Sequence, residues 1–252
     1  MQPDVPVLFP DASLRRLVMP FQPRPIQLLV LRDPLELLDR NPQPGDAQPD
    51  VYWGELWPAS VALAETLLTG KVWLPGGPQP ILELGCGAGL TSVAAALAGQ
   101  GEARVLATDR EPRALALTRA NAEANGVAHL IETRVLDWRE RSSERYRLIL
   151  ATDCLYSPDA GHELATFLRR ALAEDDRDEA RAVLVDPERW SARDFRFVAE
   201  EAGFHVNCFR WPVPFTAGSA GNEWLPRSGP PTDAGDPREG AVWTTFYELK
   251  RR

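Results

Sequence analysis

Cysteine is scarce in this chain. Three of its 252 residues are cysteine, namely Cys86, Cys154 and Cys208. They are scattered and odd in number, so neither a disulfide framework nor a metal-ligand spacing is present. A reduced, cytoplasmic setting is the expectation. Histidine is equally sparse. His129, His162 and His205 stand apart from one another, without metal-like spacing, and no metal is expected. No apolar run is long enough to span a bilayer. No charged segment followed by an apolar core marks a secretory signal at the N-terminus. Positive charge is in deficit, with 28 Lys and Arg against 36 Asp and Glu, a net charge of -8. That argues against a broad basic face for nucleic acid or anionic lipid. What is present is a hydrophobic fraction of 44%, enough for a full core. The length fits one large α/β domain with extensions, or two small ones.

The most informative stretch runs from Ile81 to Ala98. Ile81-Leu82-Glu83-Leu84 is a short apolar run containing one acid. Gly85, Gly87 and Gly89 follow at alternate positions, and then Leu90 to Ala98 reads as a helix. The expectation is buried strand, tight turn, helix. Glycines there permit positive φ and let a ligand lie on the backbone. Free N–H groups at the helix start favour an anionic group. A nucleotide-like cofactor with a carboxylate tail fits such a turn. The dinucleotide fingerprint is G-x-G-x-x-G, whereas here the sixth position is Leu90.

From Ile81 onward, strands and helices alternate. Strands are predicted at Arg104–Thr108, Leu130–Leu136, Arg147–Thr152 and Ala182–Val185, and they end at Asp109, Asp137-Trp138, Asp153 and Asp186-Pro187. Helices are predicted from Pro112 to Asn125-Gly126, from Asp159 to Ala173 and from Ala192 to Ala202, with an earlier one over Ala59–Leu68 behind Pro58. Phe204–Trp211 and Val242–Leu249 read as a closing antiparallel pair. The expected fold is a Rossmann-like, doubly wound α/β sheet, mostly parallel, with ligands at the carboxyl ends of its strands. Residues 1–50 are proline-rich and read as an extension packed on a main domain of residues 51–252. Ile26–Leu31 forms a strand or hairpin there, and Pro34–Asp39 a short helical turn. Residues 217–240, rich in Gly and Pro, read as a long loop, either a surface insertion or a substrate-side lid.

Each strand end offers a residue for one cofactor. Asp109 is placed to accept from two ribose hydroxyls, as acids do in dinucleotide folds. The stem of Arg110 could lie along a base. Asp137 could accept from the adenine amino group while Trp138 packs on the ring. Asp153 and Tyr156 fall at the reaction side, with Glu55 as a second carboxylate near the entry.

The spacing E-x-G-x-G-x-G over Glu83–Gly89 resembles the class I S-adenosylmethionine (AdoMet) methyltransferases. Trp57-Pro58, Glu83–Gly89, Asp109, Asp137-Trp138 and the D-x-x-Y tetrad Asp153–Tyr156 together resemble the seven-β-strand protein-lysine methyltransferases, whose bacterial members are often labelled nicotinamide N-methyltransferase-like. The resemblance runs from about residue 26 to 212 and less clearly to 249. It implies that Trp57 lines the cofactor pocket and Glu83 helps hold the methionine amino group. Gly85 and Gly87 hold the methionine end, Asp109 the ribose, and Trp138 covers the adenine. Thr152 contacts the sulfonium side, and Asp153 and Tyr156 shape the entry for an acceptor amine. Asp186-Pro187-Glu188-Arg189 partly resembles a D-P-G-R of one branch, with Glu188 replacing the glycine.

The expected function is AdoMet-dependent N-methylation, with lysine side chains of a protein as acceptor. A small amine or heterocycle is the alternative acceptor, and a non-catalytic AdoMet-binding interaction module is the alternative role. A dehydrogenase is the remaining enzyme reading. Base methylation commonly uses an N/D-P-P-Y-like tetrad, and Asp153–Tyr156 lacks both prolines. No nucleic-acid or membrane partner is expected. The oligomeric state is open, and a monomer is compatible with the sequence.

Overall fold

The structure, a computed structural model, describes residues 8–9, 12–38, 51–76, 79–140, 143–174, 179–217, 224–226 and 241–252. Its strands are β1 (Leu14–Met19), β2 (Ile26–Leu31), β3 (Ile81–Leu84), β4 (Val105–Asp109), β5 (Ile131–Val135), β6 (Leu148–Thr152), β7 (Arg181–Asp186), β8 (Phe204–Ala217), β9 (Trp224–Pro226) and β10 (Ala241–Arg251). Its helices are α1 (Pro58–Leu68), α2 (Leu90–Ala98), α3 (Pro112–Ala124), α4 (Pro158–Ala171) and α5 (Phe195–Glu201). Three of these start on proline, which presets φ and has no N–H to leave unpaired in the first turn.

The main sheet has the order β5-β4-β3-β6-β7-β10-β8-β9. Strands β5, β4, β3, β6 and β7 run parallel, and β10 is antiparallel to both β7 and β8. The chain leaves β3 toward β4 and β5, then returns to the other side of β3 for β6 and β7. The order therefore reverses between β3 and β6, which opens a crevice at their carboxyl ends.

The strand side chains alternate between two cores, as a period of 2 requires. Ile81, Val105, Ala107, Leu148, Leu150, Val183 and Val185 face one core, which they share with α1, α2 and α3. Leu82, Leu84, Leu106, Ile149, Ala151, Ala182 and Leu184 face the other, shared with α4 and α5. Both faces are thus covered, and near-continuous apolar strands are what such a sheet needs.

Strands β1 and β2 form a separate antiparallel hairpin. Asn121 and Asn125 of α3 dock it. Asn121 Oδ1 accepts from Leu29 N–H at 2.6 Å, and its Nδ2 donates to Leu29 C=O at 2.9 Å. Asn125 repeats the pair on Gln27, at 3.0 and 2.7 Å. Two amides one helical turn apart thereby supply the backbone-like partners that an edge strand lacks.

Beyond shifts of one or two residues at other element ends, the structure departs from expectation in these details. Leu130 belongs to a 3₁₀ turn, Ala128–Leu130, and the strand begins one residue later. The helix expected from Ala192 starts at Phe195, after a separate 3₁₀ turn at Trp190–Ala192. Strand β8 runs on past Trp211 to Ala217, because the long β10 pairs with it as far as Pro214. The stretch expected as an unstructured loop contains β9, paired with Phe215–Ala217. The rest of 217–240, and with it the lid expectation, lies outside the described residues, as do residues 39–50.

Candidate cofactor and acceptor site

The loop after β3 turns on three left-handed glycines, with φ of 64° at Gly85, 52° at Gly87 and 80° at Gly89. Gly87 shows why no side chain fits: a Cβ would lie 2.8 Å from the backbone oxygen of Trp53. The loop is held from outside itself. Thr118 Oγ1 donates to Gly87 C=O at 3.0 Å, and Asn121 Nδ2 donates to Ala88 C=O at 2.7 Å.

Asp109 ends β4 beside this loop and is 8% exposed. Its Oδ2 accepts from Gly87 N–H at 3.0 Å and its Oδ1 from Glu111 N–H at 2.9 Å. A carboxylate offers about four acceptor sites, and these two bonds tie the end of β4 to the glycine loop on one side and to the start of α3 on the other.

A cavity of about 380 Å³ opens over the loop at the sheet's switch point. Its wall contains Trp57, Gly85, Gly87, Asp109, Arg110, Trp138, Thr152, Asp153 and Tyr156. Nine of the eleven residues expected from sequence therefore meet around one space. Trp57 caps α1, and its indole N–H donates to Tyr52 C=O at 3.1 Å. Trp138 lies 6.4 Å from the ring of Tyr156, which is half-exposed. The Arg110 guanidinium sits 6.0 Å over that same ring. Glu55 also lines the wall, and burial raises its carboxyl above the ordinary range.

Glu83 and Asp137 are not among the lining residues. Glu83 is 1% exposed, and its carboxylate takes a hydrogen bond from Ser92 Oγ beneath the loop. Burial raises its pKa to about 8, against the pull of Ser92. Asp137 turns to Arg139, accepting from its N–H at 2.9 Å and from its Nε at 2.9 Å. That contact lowers the Asp137 pKa and commits the carboxylate to its own chain turn.

Asp153 also lines the cavity; it follows β6 in the left-handed region, with φ 60°. Burial raises its pKa to about 7, and the Arg189 guanidinium opposes that rise. Arg189 is a cavity residue that was not assigned from sequence. The available signal was the final residue of the partial D-P-G-R match. Trp53, Leu56 and Ser60 also line the wall and were unassigned; they bring an N-terminal segment that no spacing rule links to the loop. The thiols of Cys86 and Cys154 are both pushed well up by burial. Neither is a ready thiolate nucleophile. Among the described residues no cluster of His, Cys, Asp and Glu could hold a metal ion, and no helix is long and apolar enough to cross a membrane.

A mostly parallel sheet in this order, a glycine turn at its switch point and an acid ending the next strand together define the class I, seven-β-strand AdoMet-dependent methyltransferase architecture. The magnesium protoporphyrin IX methyltransferase (ChlM) of Synechocystis PCC 6803, solved with bound SAM, shares that fold with a TM-score of 0.51 at 16% identity, over 77% of this chain and 78% of its own. Within the class, a family model described as lysine methyltransferase matches residues 50–200, and the chain belongs to that family. It is 33% identical over 141 residues to the electron transfer flavoprotein beta subunit lysine methyltransferase of Xenopus laevis, covering 56% of this chain and 54% of the relative. It is 34% identical over 152 residues to protein N-lysine methyltransferase METTL21A of Danio rerio, covering 58% of this chain and 65% of that one. The chain thus spans between about half and two thirds of the length of these two relatives.

Proposed function

We propose that this protein is an AdoMet-dependent N-methyltransferase whose acceptor is a lysine side chain of a protein. The observation that carries the reading is the convergence, around one cavity, of the left-handed glycine turn, Asp109 and the Asp153–Tyr156 tetrad. The residues present fit the cofactor. Left-handed glycines leave bare backbone for a methionine end, Asp109 brings a carboxylate to the cavity wall for ribose hydroxyls, and Trp138 offers an apolar face for adenine. Arg110 and Thr152 border the same space. Asp137, paired with Arg139, serves by fixing the turn that carries Trp138. Glu83 acts from beneath the loop, next to the start of α2. AdoMet, when bound, supplies a methyl group already activated on a sulfonium, so no covalent enzyme intermediate is required.

The protein's own task is alignment, proton handling and exclusion of water. Holding two reactants in line lowers a barrier by about 7–11 kcal/mol. A lysine arrives mostly protonated, with an ordinary pKa of about 10.4. Asp153 binds and orients the ammonium, and Tyr156 positions the nitrogen or its aliphatic stem. A fully charged Asp153 held close would keep the proton on the amine. Water therefore takes the proton, and Asp153 is assigned to orientation. The three free cysteines fit a cytoplasmic location.

Incubation of a lysate with labelled AdoMet tests the proposal. Label in a protein band, on lysine, is expected, and label confined to small molecules would redirect the reading to a small-amine acceptor. Self-labelling is a small background, since the chain has two lysines, Lys71 and Lys250. Asp109→Ala should weaken cofactor binding roughly 10- to 100-fold, the value of a charged hydrogen bond, and reduce the label at subsaturating AdoMet accordingly. Unchanged cofactor affinity in that variant would refute the assignment.

A further inference from the structure

Arg189 assembles the acceptor end of the cavity. Its guanidinium bridges two carboxylates from the ends of neighbouring strands. Nη2 lies 2.8 Å from Oδ1 of Asp153, and Nη1 lies 3.0 Å from Oδ2 of Asp186. The Arg189 backbone N–H donates to Asp186 Oδ1 at 2.7 Å, so Asp186 grips the arginine at both main chain and side chain. The guanidinium carbon also lies 5.3 Å from the Trp57 ring, inside cation–π range. All three charged side chains are largely withdrawn from water, with exposures of 1% for Asp186, 10% for Asp153 and 24% for Arg189.

With both carboxyls ionised, one cation between them leaves a net charge of -1. A buried residual charge is costly unless a partner arrives. Asp153 and Arg189 line the cavity and Asp186 does not, so that charge is presented at the cavity wall. The backbone is held in an unfavourable form at Asp153 itself and at the residue before Arg189. Asp153 has φ 60° and Glu188 has φ 61°, and neither is glycine. Glu188 is fixed in place by Arg210, at 2.5 and 2.8 Å, and by Thr245 Oγ1 at 3.1 Å. Contacts from β8 and β10 therefore hold the turn that presents Arg189. Strain maintained in this way clusters at ligand-handling sites.

We propose that Arg189, pinned by Asp186, is a positioning residue that aims Asp153 and leaves one uncompensated negative charge in the wall, making this end of the cavity a subsite for a small organic cation, an ammonium or a sulfonium. The inference rests on the AdoMet-site reading above. The charged groups that act on Asp153 are Arg189 and Asp186, and Glu55, Asp109 and Arg110 share the cavity wall. With its pKa near 7, Asp153 is charged at pH 8 and neutral at pH 5.5. Removing Arg189 takes away the cation that lowers the Asp153 pKa and leaves Asp186 beside it, so the Asp153 carboxyl in the cavity wall is pushed further up and keeps its proton.

Calorimetric affinities for three probes test this. Sinefungin carries an ammonium where AdoMet carries its methylsulfonium, and S-adenosylhomocysteine has a neutral thioether there. All three share the nucleoside and amino-acid ends, so changes at those ends cancel in affinity ratios. At pH 8 the wild type should bind sinefungin at least about tenfold tighter than the thioether, a ratio worth about 1.4 kcal/mol. The ratio should fall to within about threefold at pH 5.5. Arg189→Met should remove the preference at pH 8, and Arg189→Lys should restore most of it. A parallel preference for AdoMet over the thioether would assign the charge to the sulfonium as well; a preference for sinefungin alone would assign it to the acceptor ammonium. Equal binding of charged and neutral probes by the wild type, a ratio independent of pH, or a preference unchanged in Arg189→Met would each overturn the proposal. Should Arg189→Met fail to fold, the wild-type pH series decides. Binding of none of the three probes would instead remove the underlying AdoMet reading.

Discussion

Glu83 illustrates how burial changes what a residue does. It sits in the middle of a parallel strand at 1% exposure, and its nearest relief from desolvation is the Ser92 hydroxyl at the start of α2. Its pKa near 8 means that it is largely protonated at neutral pH. The consequence for stability has a definite sign. The folded state keeps a proton that the unfolded chain releases above about pH 4.3, so this group's contribution falls as pH rises from there to about 8. The limiting slope for one group is about 1.4 kcal/mol per pH unit. Asp153, Asp186 and Glu55 are raised as well and push in the same direction. Only a difference between variants isolates Glu83. Urea unfolding of Glu83→Gln at pH 5 and pH 8 should show a smaller loss of stability over that interval than the wild type shows. Parallel pH curves for the two proteins would mean that Glu83 is charged in the folded state.

At the scale of elements, α3 is the part that joins the hairpin to the cofactor loop. Asn121 is fully buried, and its side chain satisfies the N–H and C=O of Leu29 and the C=O of Ala88. Truncation would strand three buried backbone groups at about 1–3 kcal/mol each. Asn121→Ala should therefore lose about 3 kcal/mol or more in chemical denaturation and weaken AdoMet binding through the loosened loop. A loss under about 1 kcal/mol would mean that water takes over all three bonds. This helix also shows how far elements can be read from sequence. Pro112 at its start and Asn125-Gly126 at its end were legible because both act through local backbone geometry, and Gly126 does adopt φ 73°. The glycine turn, the parallel strands and the acids at their ends were legible for the same kind of reason. Strand β1 was not, because Arg15 and Arg16 interrupt its apolar pattern and its partner is β2 rather than the main sheet. The docking role of Asn121 was invisible, since nothing local ties a helical amide to Leu29. Arg189 stood in a recognisable tetrapeptide, but its grip on Asp153 depends on β6 and β7 lying side by side.

At the scale of the whole molecule, the cavity draws its wall from segments spread along the chain, from Tyr52 to Arg189. The sheet brings them together: the loop after β3, Asp109 after β4 and Asp153 after β6 are adjacent only because these strands pair in that order. A ligand in this space touches parts that both faces of the sheet support, so binding stabilises the folded chain as a unit. Free energy gained this way follows RT ln(1 + [L]/Kd), about 2.7 kcal/mol at a ligand concentration of 100 Kd. For a chain of this size that corresponds to a rise in Tm of roughly 5–10 °C. The expected result in scanning calorimetry is one transition that moves upward as a whole with AdoMet concentration. Asp109→Ala should need roughly 10- to 100-fold more AdoMet for the same shift, in line with its weakened affinity. If AdoMet displaced only part of the heat absorption, the Trp53–Trp57 segment and the sheet would be unfolding separately, and the cavity would not be the joint product of the two. If Asp109→Ala shifted as readily as the wild type, the ligand would be held somewhere other than above the glycine turn.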